Sequence, residues 1–315
     1  MTCTRCQHQT CKRFGYFGKR RIQRWRCNSC HVTFCQPQPQ SPLGTMRTSE
    51  ESATRAIQCL IEGCSIRSTE RLTGLNRNTI LRLLEVIGPR CERLLDTRLR
   101  NLRCRYVQCD EIWTYVQKKQ RHVRNGEPEI GDQWVFVAID ADTKLVASFR
   151  IGKRSIENTR NFMNDLHSRL ADQVQLTTDG FHFYTKVVEE TFGLDVDFAQ
   201  LTKLYGDYGQ HGTERYSPSP IVEVISKVRI GNPSKSDIST SYVERQNLTM
   251  RMALRRFTRL TNAFSKKLEN LKAAIAIHFA YYNFCRVHGS LRVTPAMAAG
   301  LTDHIWEIRE LVASL

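Results

Sequence analysis

The chain of 315 residues is long enough for two or three domains, and its apolar content of 41% predicts at least one sizeable core. Its formal net charge of +16 suggests a polyanionic partner, and no apolar run is long enough to cross a membrane. Because the N-terminus lacks an apolar signal-peptide core, we expect a cytoplasmic protein whose twelve cysteines are reduced thiols or metal ligands.

The positive charge is concentrated at the front of the chain and in one later segment. Residues 1–105 carry 20 Lys and Arg against 7 Asp and Glu, residues 106–238 carry 16 against 19, and residues 239–273 carry 8 against 2. A solvated basic surface is the alternative to a polyanion-binding one, but no acid precedes Glu50. This distribution favours nucleic acid as the partner.

Two Cys-x-x-Cys pairs, twenty residues apart, indicate a metal-binding module in residues 1–36. The pairs are Cys3 with Cys6 and Cys27 with Cys30. Four thiolates at this spacing predict a zinc ribbon with one structural Zn²⁺, whose binding would supply folding energy that so short a segment lacks. Cys11 or Cys35 could substitute for one ligand, and an iron–sulfur cluster or unliganded thiols are the alternatives to zinc.

Aromatic and basic residues interleave between the two cysteine pairs. The basic residues include Lys19, Arg20, Arg24 and Arg26. We expect a small β-hairpin whose cations, Arg24 and Arg26 among them, contact DNA phosphates. The proline-rich segment 37–47 that follows is predicted to be a linker.

Residues 48–100 are predicted to form an all-α helix-turn-helix domain. After one amphipathic helix, a second short helix ends at Gly74, and a third begins near Asn76 and is expected to stop at Gly88-Pro89. Two short helices joined at a glycine match the helix-turn-helix plan.

The start of the third helix carries side chains suited to base edges. Arg77 and Asn78 are the candidates for DNA contact there. An ordinary helical hairpin is the alternative, and the charge and the neighbouring cysteine module favour DNA binding over it.

Residues 101–285 are predicted to form an α/β domain with a mixed sheet. Short connections predict three antiparallel strands, followed by a helix, a further strand and a second helix. The strands are expected at 106–116, 134–139, 145–151 and 174–178, and the helices at 156–170 and 183–192. Residues 202–220 are expected to be a loop or insertion before a strand at 221–230.

Three carboxylates could meet at one end of this sheet. Asp110 interrupts the first strand and Asp179 follows the fourth, and a carboxylate buried in a sheet is costly unless it is paired or bound to metal. Glu244 lies early in a helix expected from about Ser239, which could cross the same end. The three could hold two hard cations, Mg²⁺ or Mn²⁺, for phosphodiester chemistry. A surface ion pair with an arginine is the alternative for Glu244.

Two other acids are expected to have no part in such a site. Glu111 adjoins Asp110 but should point to the opposite face of the strand. Asp140 ends the second strand, where turn chemistry explains it.

Four blocks in this order resemble the insertion-sequence-one family of DDE transposases: CDEIWTYV, QWVFVAID, QLTTDGFHFY and YVERQN-x-x-x-R. The match spans roughly residues 105–267. The resemblance implies a ribonuclease-H-like fold, a metal-ligand role for Asp110, Asp179 and Glu244, and a DNA-contact role for Arg251. Arg251 is two helical turns after Glu244 and thus on nearly the same face; its basic neighbours, including Arg255, are expected to hold phosphates.

Residues 286–315 are expected to be a C-terminal helical tail. The segment YNFCRVHG-SLRVTP at its start resembles the closing segment of other DDE integrases and transposases. Asn283, Arg286 and His288 could approach the site, or they could form a hydrogen-bond cluster at the end of a helix.

The leading hypothesis is a transposase, a homo-oligomer on DNA in a prokaryotic cell, that binds element ends and joins them to target DNA. A DNA-binding regulator with an inert core is one alternative, although its acidic triad would then be free to change. A nuclease that cuts without strand transfer is the other.

Overall fold

The computed structural model describes residues 1–18, 21–36, 43–44, 46–124, 127–206, 220–258 and 262–313. Lys19, Arg20 and most of the predicted linker lie outside the described residues, as does most of the predicted 202–220 loop. The chain forms two compact units, Met1–Thr45 and Met46–Leu315. Within the described residues, no helix combines the length and apolar content needed to cross a membrane.

The first unit is a small antiparallel sheet. Its strands are β1 (Cys11–Phe17), β2 (Ile22–Cys27) and β3 (Thr33–Cys35), in the order β1-β2-β3. The predicted hairpin is the β1–β2 pair, in which Cys11 lies opposite Cys27. Apart from Cys27, the strand side chains are exposed or half-buried. A unit with so little buried apolar surface needs another source of stability.

The second unit contains a six-stranded mixed sheet in the order β6-β5-β4-β7-β8-β9. The strands are β4 (Tyr106–Val116), β5 (Gly131–Asp140), β6 (Val146–Gly152), β7 (Val174–Thr178), β8 (Val196–Tyr205) and β9 (Ile221–Ile230). The first three are antiparallel, as predicted, whereas β7 runs parallel to β4 and β8 runs parallel to β7. The mixed α/β architecture is compatible with the ribonuclease-H-like core that the resemblance implies.

Helices lie before, between and after these strands. The described α-helices are α1 (Glu50–Ile61), α2 (Ile66–Thr73), α3 (Arg77–Arg98), α4 (Ile156–Arg169), α5 (His182–Phe192), α6 (Ser241–Ala253), α7 (Leu268–Phe284), α8 (Pro295–Ala298) and α9 (Ile308–Ala313). The first three begin where polar caps predict: the side chains of Ser49, Ser65 and Asn76 accept backbone N–H groups of the first turn.

The prediction that the third helix stops at Gly88-Pro89 is wrong, because α3 continues to Arg98. A proline inside a helix costs about 3 kcal/mol. Burial beyond the proline offsets this cost, since Cys91, Leu94 and Leu95 are buried and α3 packs along α7. Gly88 lies at the closest approach, where an added Cβ would be 2.4 Å from the Cβ of Ala273.

Strand β8 was not predicted, and the segment expected to be a loop from residue 202 begins inside it. The first half of β8 is apolar and fully buried at Val196, Phe198 and Ala199. The second half carries Gln200, whose amide donates to the backbone carbonyl of Asp179, and Lys203, which pairs with Glu244. These polar residues interrupt the apolar pattern on which the strand prediction depends.

Candidate active site

The candidate site lies where β4 and β7 stop pairing. The last matched pair is Cys109 with Thr178, so the next residues are Asp110, which lies within β4, and Asp179, which follows the end of β7. Together with Glu111, they form a group whose carboxylate oxygens lie within 4.8 Å of one another. The structure thus brings together two of the three predicted carboxylates and adds one that was expected elsewhere.

Asp110 is held in place by two hydrogen-bond donors. The backbone N–H of Glu111 donates to its Oδ1, and Nδ2 of Asn247 on α6 donates to its Oδ2, both at 2.8 Å. Helix α6 is itself fixed to β4, because Oε1 of Gln108 accepts two backbone N–H groups of the first turn of α6, at 2.8 and 3.2 Å. The sheet and α6 therefore position this carboxylate jointly.

The prediction that Glu111 points away from Asp110 is wrong for its carboxylate. Strand β7 ends at Thr178, so no strand lies beside β4 at the level of Glu111 on that side. The long side chain of Glu111 turns into this gap, where only 1% of it is exposed. Alternation along a strand fixes the direction of Cβ, but it does not fix the end of a long side chain beside a strand that stops.

A cation that the sequence did not single out closes this side of the site. Arg154, between β6 and α4, places Nη2 3.0 Å from Oε2 of Glu111 and 3.7 Å from Oδ2 of Asp179. Its guanidinium carbon lies 3.9 Å from the ring centroid of Phe181 and 4.7 Å from that of Trp134. The guanidinium of Arg154 thus contacts two aromatic rings and two carboxylates.

The three carboxylates resist ionisation together. Desolvation, with the charge of Asp179 second, raises the pKa of Asp110 to about 6 and that of Glu111 to about 8. Desolvation also raises the pKa of Asp179, although the N–H of Phe181 and the charge of Arg154 oppose this effect. Clustered carboxylates with raised pKa values are stabilised by any cation that joins them.

Glu244 lies near this group but is not part of the set within 4.8 Å. Its charge still contributes to the raised pKa values of Asp110 and Asp179. Its Oε1 accepts from Nζ of Lys203 at 2.5 Å and from Oγ1 of Thr240 at 2.6 Å. The ion pair partner is therefore a lysine on β8, not one of the arginines of α6.

The acidic group fits a hard divalent cation by its donors. Asp110, Glu111 and Asp179 offer carboxylate oxygens only. The buried carboxylate of Glu111 also has the hydroxyl of Tyr184 as a neighbour. Oxygen ligands of this kind suit Mg²⁺ or Mn²⁺.

Two other predicted candidates have structural roles. Oδ2 of Asp140 accepts from the backbone N–H and Oγ1 of Thr143, which confirms the turn interpretation. Asn283 is fully buried and binds the backbone of β6. Its Oδ1 accepts from the N–H of Val146 and its Nδ2 donates to the C=O of Val146, both at 3.0 Å.

The predicted DNA-contact residues of the second unit lie on surfaces that ligands can reach. Arg77 and Asn78 are exposed in the first turn of α3. Arg251 is half-buried in the last turn of α6, and Arg255 is exposed just beyond it. Helix α6 therefore carries Glu244 in its first turn and basic residues at its other end.

The four predicted zinc ligands converge in the first unit. The Sγ atoms of Cys3, Cys6, Cys27 and Cys30 lie within 4.8 Å of one another. The separations Cys3–Cys30 and Cys6–Cys27 are 3.6 Å. Four sulfurs about 2.3 Å from one tetrahedral ion would be about 3.8 Å apart, so the group fits zinc.

The other two cysteines considered as substitutes are not in this group. Cys11 donates weakly to the carbonyl of His8 at 3.8 Å, and Cys35 lies at the end of β3. On the adjoining hairpin, the guanidinium carbons of Arg24 and Arg26 lie 5.8 and 5.6 Å from the ring centroid of Phe14. Arg24 also donates to Oγ1 of Thr33 at 2.8 Å.

No protein-family model and no curated protein matches the chain. Among solved structures, it is similar to a Mos1 transposase paired-end complex with the left transposon end, at 15% identity and a TM-score of 0.22, covering 52% of this chain and 60% of that one. It is also similar to a piggyBac transposase synaptic complex with hairpin DNA, at 9% sequence identity and a TM-score of 0.37. That match covers 84% of this chain and 69% of the other. The chain is also similar to the Mos1 strand transfer complex, at 13% sequence identity and a TM-score of 0.22, and the match covers 78% of each chain. These values assign no family to the chain.

Proposed function

We propose that the chain is a DDE transposase that cuts DNA at the ends of an insertion sequence and joins them to target DNA. The observation that carries this proposal is the convergence of Asp110, within β4, and Asp179, just after the neighbouring parallel strand β7, with α6 and Glu244 beside them. The motif resemblance to the insertion-sequence-one family supports the same function, and the proposed fold is the ribonuclease-H-like core.

In this proposal, Asp110, Asp179 and Glu244 hold two Mg²⁺ or Mn²⁺ ions. Two such ions would activate a water or a 3′-hydroxyl and stabilise the leaving oxygen of a phosphodiester. Glu111 holds Arg154 beside Asp179. Arg154 is then a fixed cation within reach of a phosphate that enters the site.

In the structure, Lys203 forms an ion pair with the carboxylate of Glu244. For Glu244 to serve as a ligand, Lys203 has to release it. A lysine on a flexible four-carbon stem can turn to a DNA phosphate instead, so we infer that cation binding and DNA binding favour each other here.

DNA recognition is assigned to the basic surfaces. The zinc-bound ribbon, through Arg24 and Arg26, and residues 48–100, through Arg77 and Asn78, would bind the element ends. Arg251 and Arg255 would hold phosphates beside the active site. The remaining divisions of the proposal are a linker at 37–47, a catalytic domain at 101–285 and a helical tail at 286–315, working as a homo-oligomer on cytoplasmic DNA.

A strand-transfer assay tests this function. A labelled duplex with the element's terminal sequence is incubated with a supercoiled plasmid, Mg²⁺ and the full chain. We expect cleavage at the element end and covalent joining to the plasmid, lost in Asp110→Asn and kept in Asp142→Asn, an acid outside the cluster. Cutting without joining would indicate a nuclease, and binding without cutting would indicate a regulator; either result would overturn the proposal.

A further inference from the structure

The outer edge of the sheet is an unpaired ten-residue strand. Among the described strands, β9 pairs only with β8 and is the last in the sheet order. Eight of its ten residues are exposed. An edge strand of this length presents a row of backbone donors and acceptors to any strand that lies beside it.

One face of β9 is apolar as well as exposed. Val222, Val224 and Val228 are 70%, 53% and 50% exposed. Val224 and Val228 lie in the regular part of the strand, where their even spacing places them on the same face, and Val222 lies at a register shift. Edge strands of monomeric proteins commonly avoid pairing with another chain by means of a proline, a bulge or charges that point inward. Here the sequence IVEVISKVRI contains no proline. The pairing with β8 shifts register next to Val222 and next to Arg229, so only residues 223–228 form a regular edge, and its two charges, Glu223 and Lys227, lie on the face opposite Val224.

The charges of β9 are arranged so that the strand complements itself. Glu223 lies two residues before Ile225, and Lys227 lies two residues after it. In an antiparallel pair of identical strands centred on Ile225, each Glu223 would face Lys227 of the other copy, and each Val222 would face Val228. A parallel pair in register would instead place like charges side by side.

Among the described residues of one chain, these charges have no such partners. Glu223 lies opposite Leu204 and Lys227 lies opposite Gln200 on β8. Neither charge forms an ion pair within the described part of the chain, and both side chains are exposed. Pairing with a second β9 would place an opposite charge across from both the acid and the base.

We propose that β9 is a homodimerisation surface on which two copies of this chain pair antiparallel about a two-fold axis at Ile225. The two six-stranded sheets then join into one, and the exposed valines of both copies form a continuous apolar strip. The contact is isologous, so the same patch serves both copies and the assembly closes as a dimer. It depends on the edge strand alone and is independent of the chemistry at the acidic cluster.

Sedimentation equilibrium of the full chain without DNA tests the proposal. We expect a monomer–dimer equilibrium for the unaltered chain. Glu223→Lys places Lys opposite Lys twice per dimer, and Lys227→Glu places Glu opposite Glu twice, so each should raise the dimer dissociation constant by roughly tenfold or more. The double variant Glu223→Lys/Lys227→Glu restores both opposite-charge pairs and should return the constant to near its original value.

Lys272→Glu, on the exposed face of α7, is the matched control because it alters net charge equally but lies outside β9. It should leave the constant unchanged. Circular dichroism of all variants checks that each is folded. A chain that stays monomeric at every concentration, a dimer that ignores the single variants, or a double variant that fails to recover would each overturn the proposal. In the last case, the edge would take another register or another partner.

Discussion

At the scale of single residues, Glu244 and Arg251 share α6 but are expected to do different work. Glu244→Gln keeps size and polarity but removes the charge that would hold a divalent cation, so cleavage should be abolished while DNA binding is kept. Arg251→Ala removes a phosphate contact, and its activity should recover partly at low salt, where the remaining cations compensate. Low salt cannot replace a metal ligand, so Glu244→Gln should stay inactive there.

Cleavage and DNA binding, measured for both variants at two salt concentrations, separate these roles. The matched control is Glu269→Gln, on α7, which should behave like the unaltered chain. Near-normal cleavage by Glu244→Gln would return Glu244 to the role of an ion-pair partner of Lys203.

The acidic cluster predicts a pH dependence of stability in buffer without added Mg²⁺ or Mn²⁺. In the folded state the pKa of Glu111 is about 8 and that of Asp110 is about 6, both above their ordinary values. The folded chain therefore retains protons that the unfolded chain releases, and the free energy of unfolding falls as pH rises from about 4 to 8. At about 1.4 kcal/mol per pKa unit, the two shifts set an upper bound of about 8 kcal/mol on this fall, with the larger share from Glu111.

Glu111→Gln removes the larger of these titrations and should flatten the fall, whereas the exposed Glu157→Gln should not. Urea unfolding at several pH values measures the slope. An unchanged slope in Glu111→Gln would mean that its carboxyl is already ionised in the folded chain at pH 5.

The sequence singled out Asp110, which interrupts a strand, and Asp179, which follows one, and their role as metal ligands stays a prediction. The sequence was insufficient for Arg154, whose role depends on Trp134 and Phe181, 20 and 27 residues away along the chain. The partner of Glu244 was also missed, since Lys203 lies on a strand that was not predicted. Asn247 did carry a signal: it lies three residues after Glu244, inside the quoted motif.

At the scale of elements, the crossing of α3 and α7 depends on a glycine. An added Cβ at Gly88 would meet Ala273, so Gly88→Ala should destabilise the chain by about 1–3 kcal/mol, although alanine favours a helix. Ala273→Gly in the same chain should restore most of the loss. Gly289→Ala, where no atom lies within 4 Å, is the control, and thermal unfolding is the measurement.

Equal stability of Gly88→Ala and the unaltered chain would show that the helices separate readily. The crossing also explains why the helix-stop signal at Gly88-Pro89 failed: the contact of α3 with α7 is a tertiary interaction that local propensity does not contain. Strand β8 was missed for a related reason, because its second half carries the polar Gln200 and Lys203.

The two cysteine knuckles predict one zinc per chain. Plasma mass spectrometry of the purified full chain should find one equivalent of zinc, and Cys27→Ser/Cys30→Ser should lose it. Cys59→Ser/Cys64→Ser, two neighbouring thiols of the second unit, should retain it. Iron in place of zinc would favour the cluster alternative, and zinc retained after loss of Cys27 and Cys30 would exclude this site.

At the scale of the whole molecule, charge and chemistry are separated along the chain. The basic front, residues 1–105, holds the cysteine module and three helices, and the acidic group lies in the slightly acidic middle. This separation could be predicted from the sequence, because the net charge of each segment depends only on the number of charged residues in it. The order of the six strands in the sheet could not be predicted in this way, because the parallel pairing of β4, β7 and β8 depends on contacts between residues far apart in sequence.

Binding of Mn²⁺ to the zinc-loaded full chain, followed by electron paramagnetic resonance, tests the central inference most directly, because it needs no knowledge of the DNA sequence. The unaltered chain should bind Mn²⁺ at the acidic cluster, and Mg²⁺ should compete. Asp110→Asn and Asp179→Asn should each weaken binding by about tenfold or more, whereas Asp142→Asn, outside the cluster, should not. Equal Mn²⁺ binding by all four proteins would contradict a metal centre at Asp110 and Asp179.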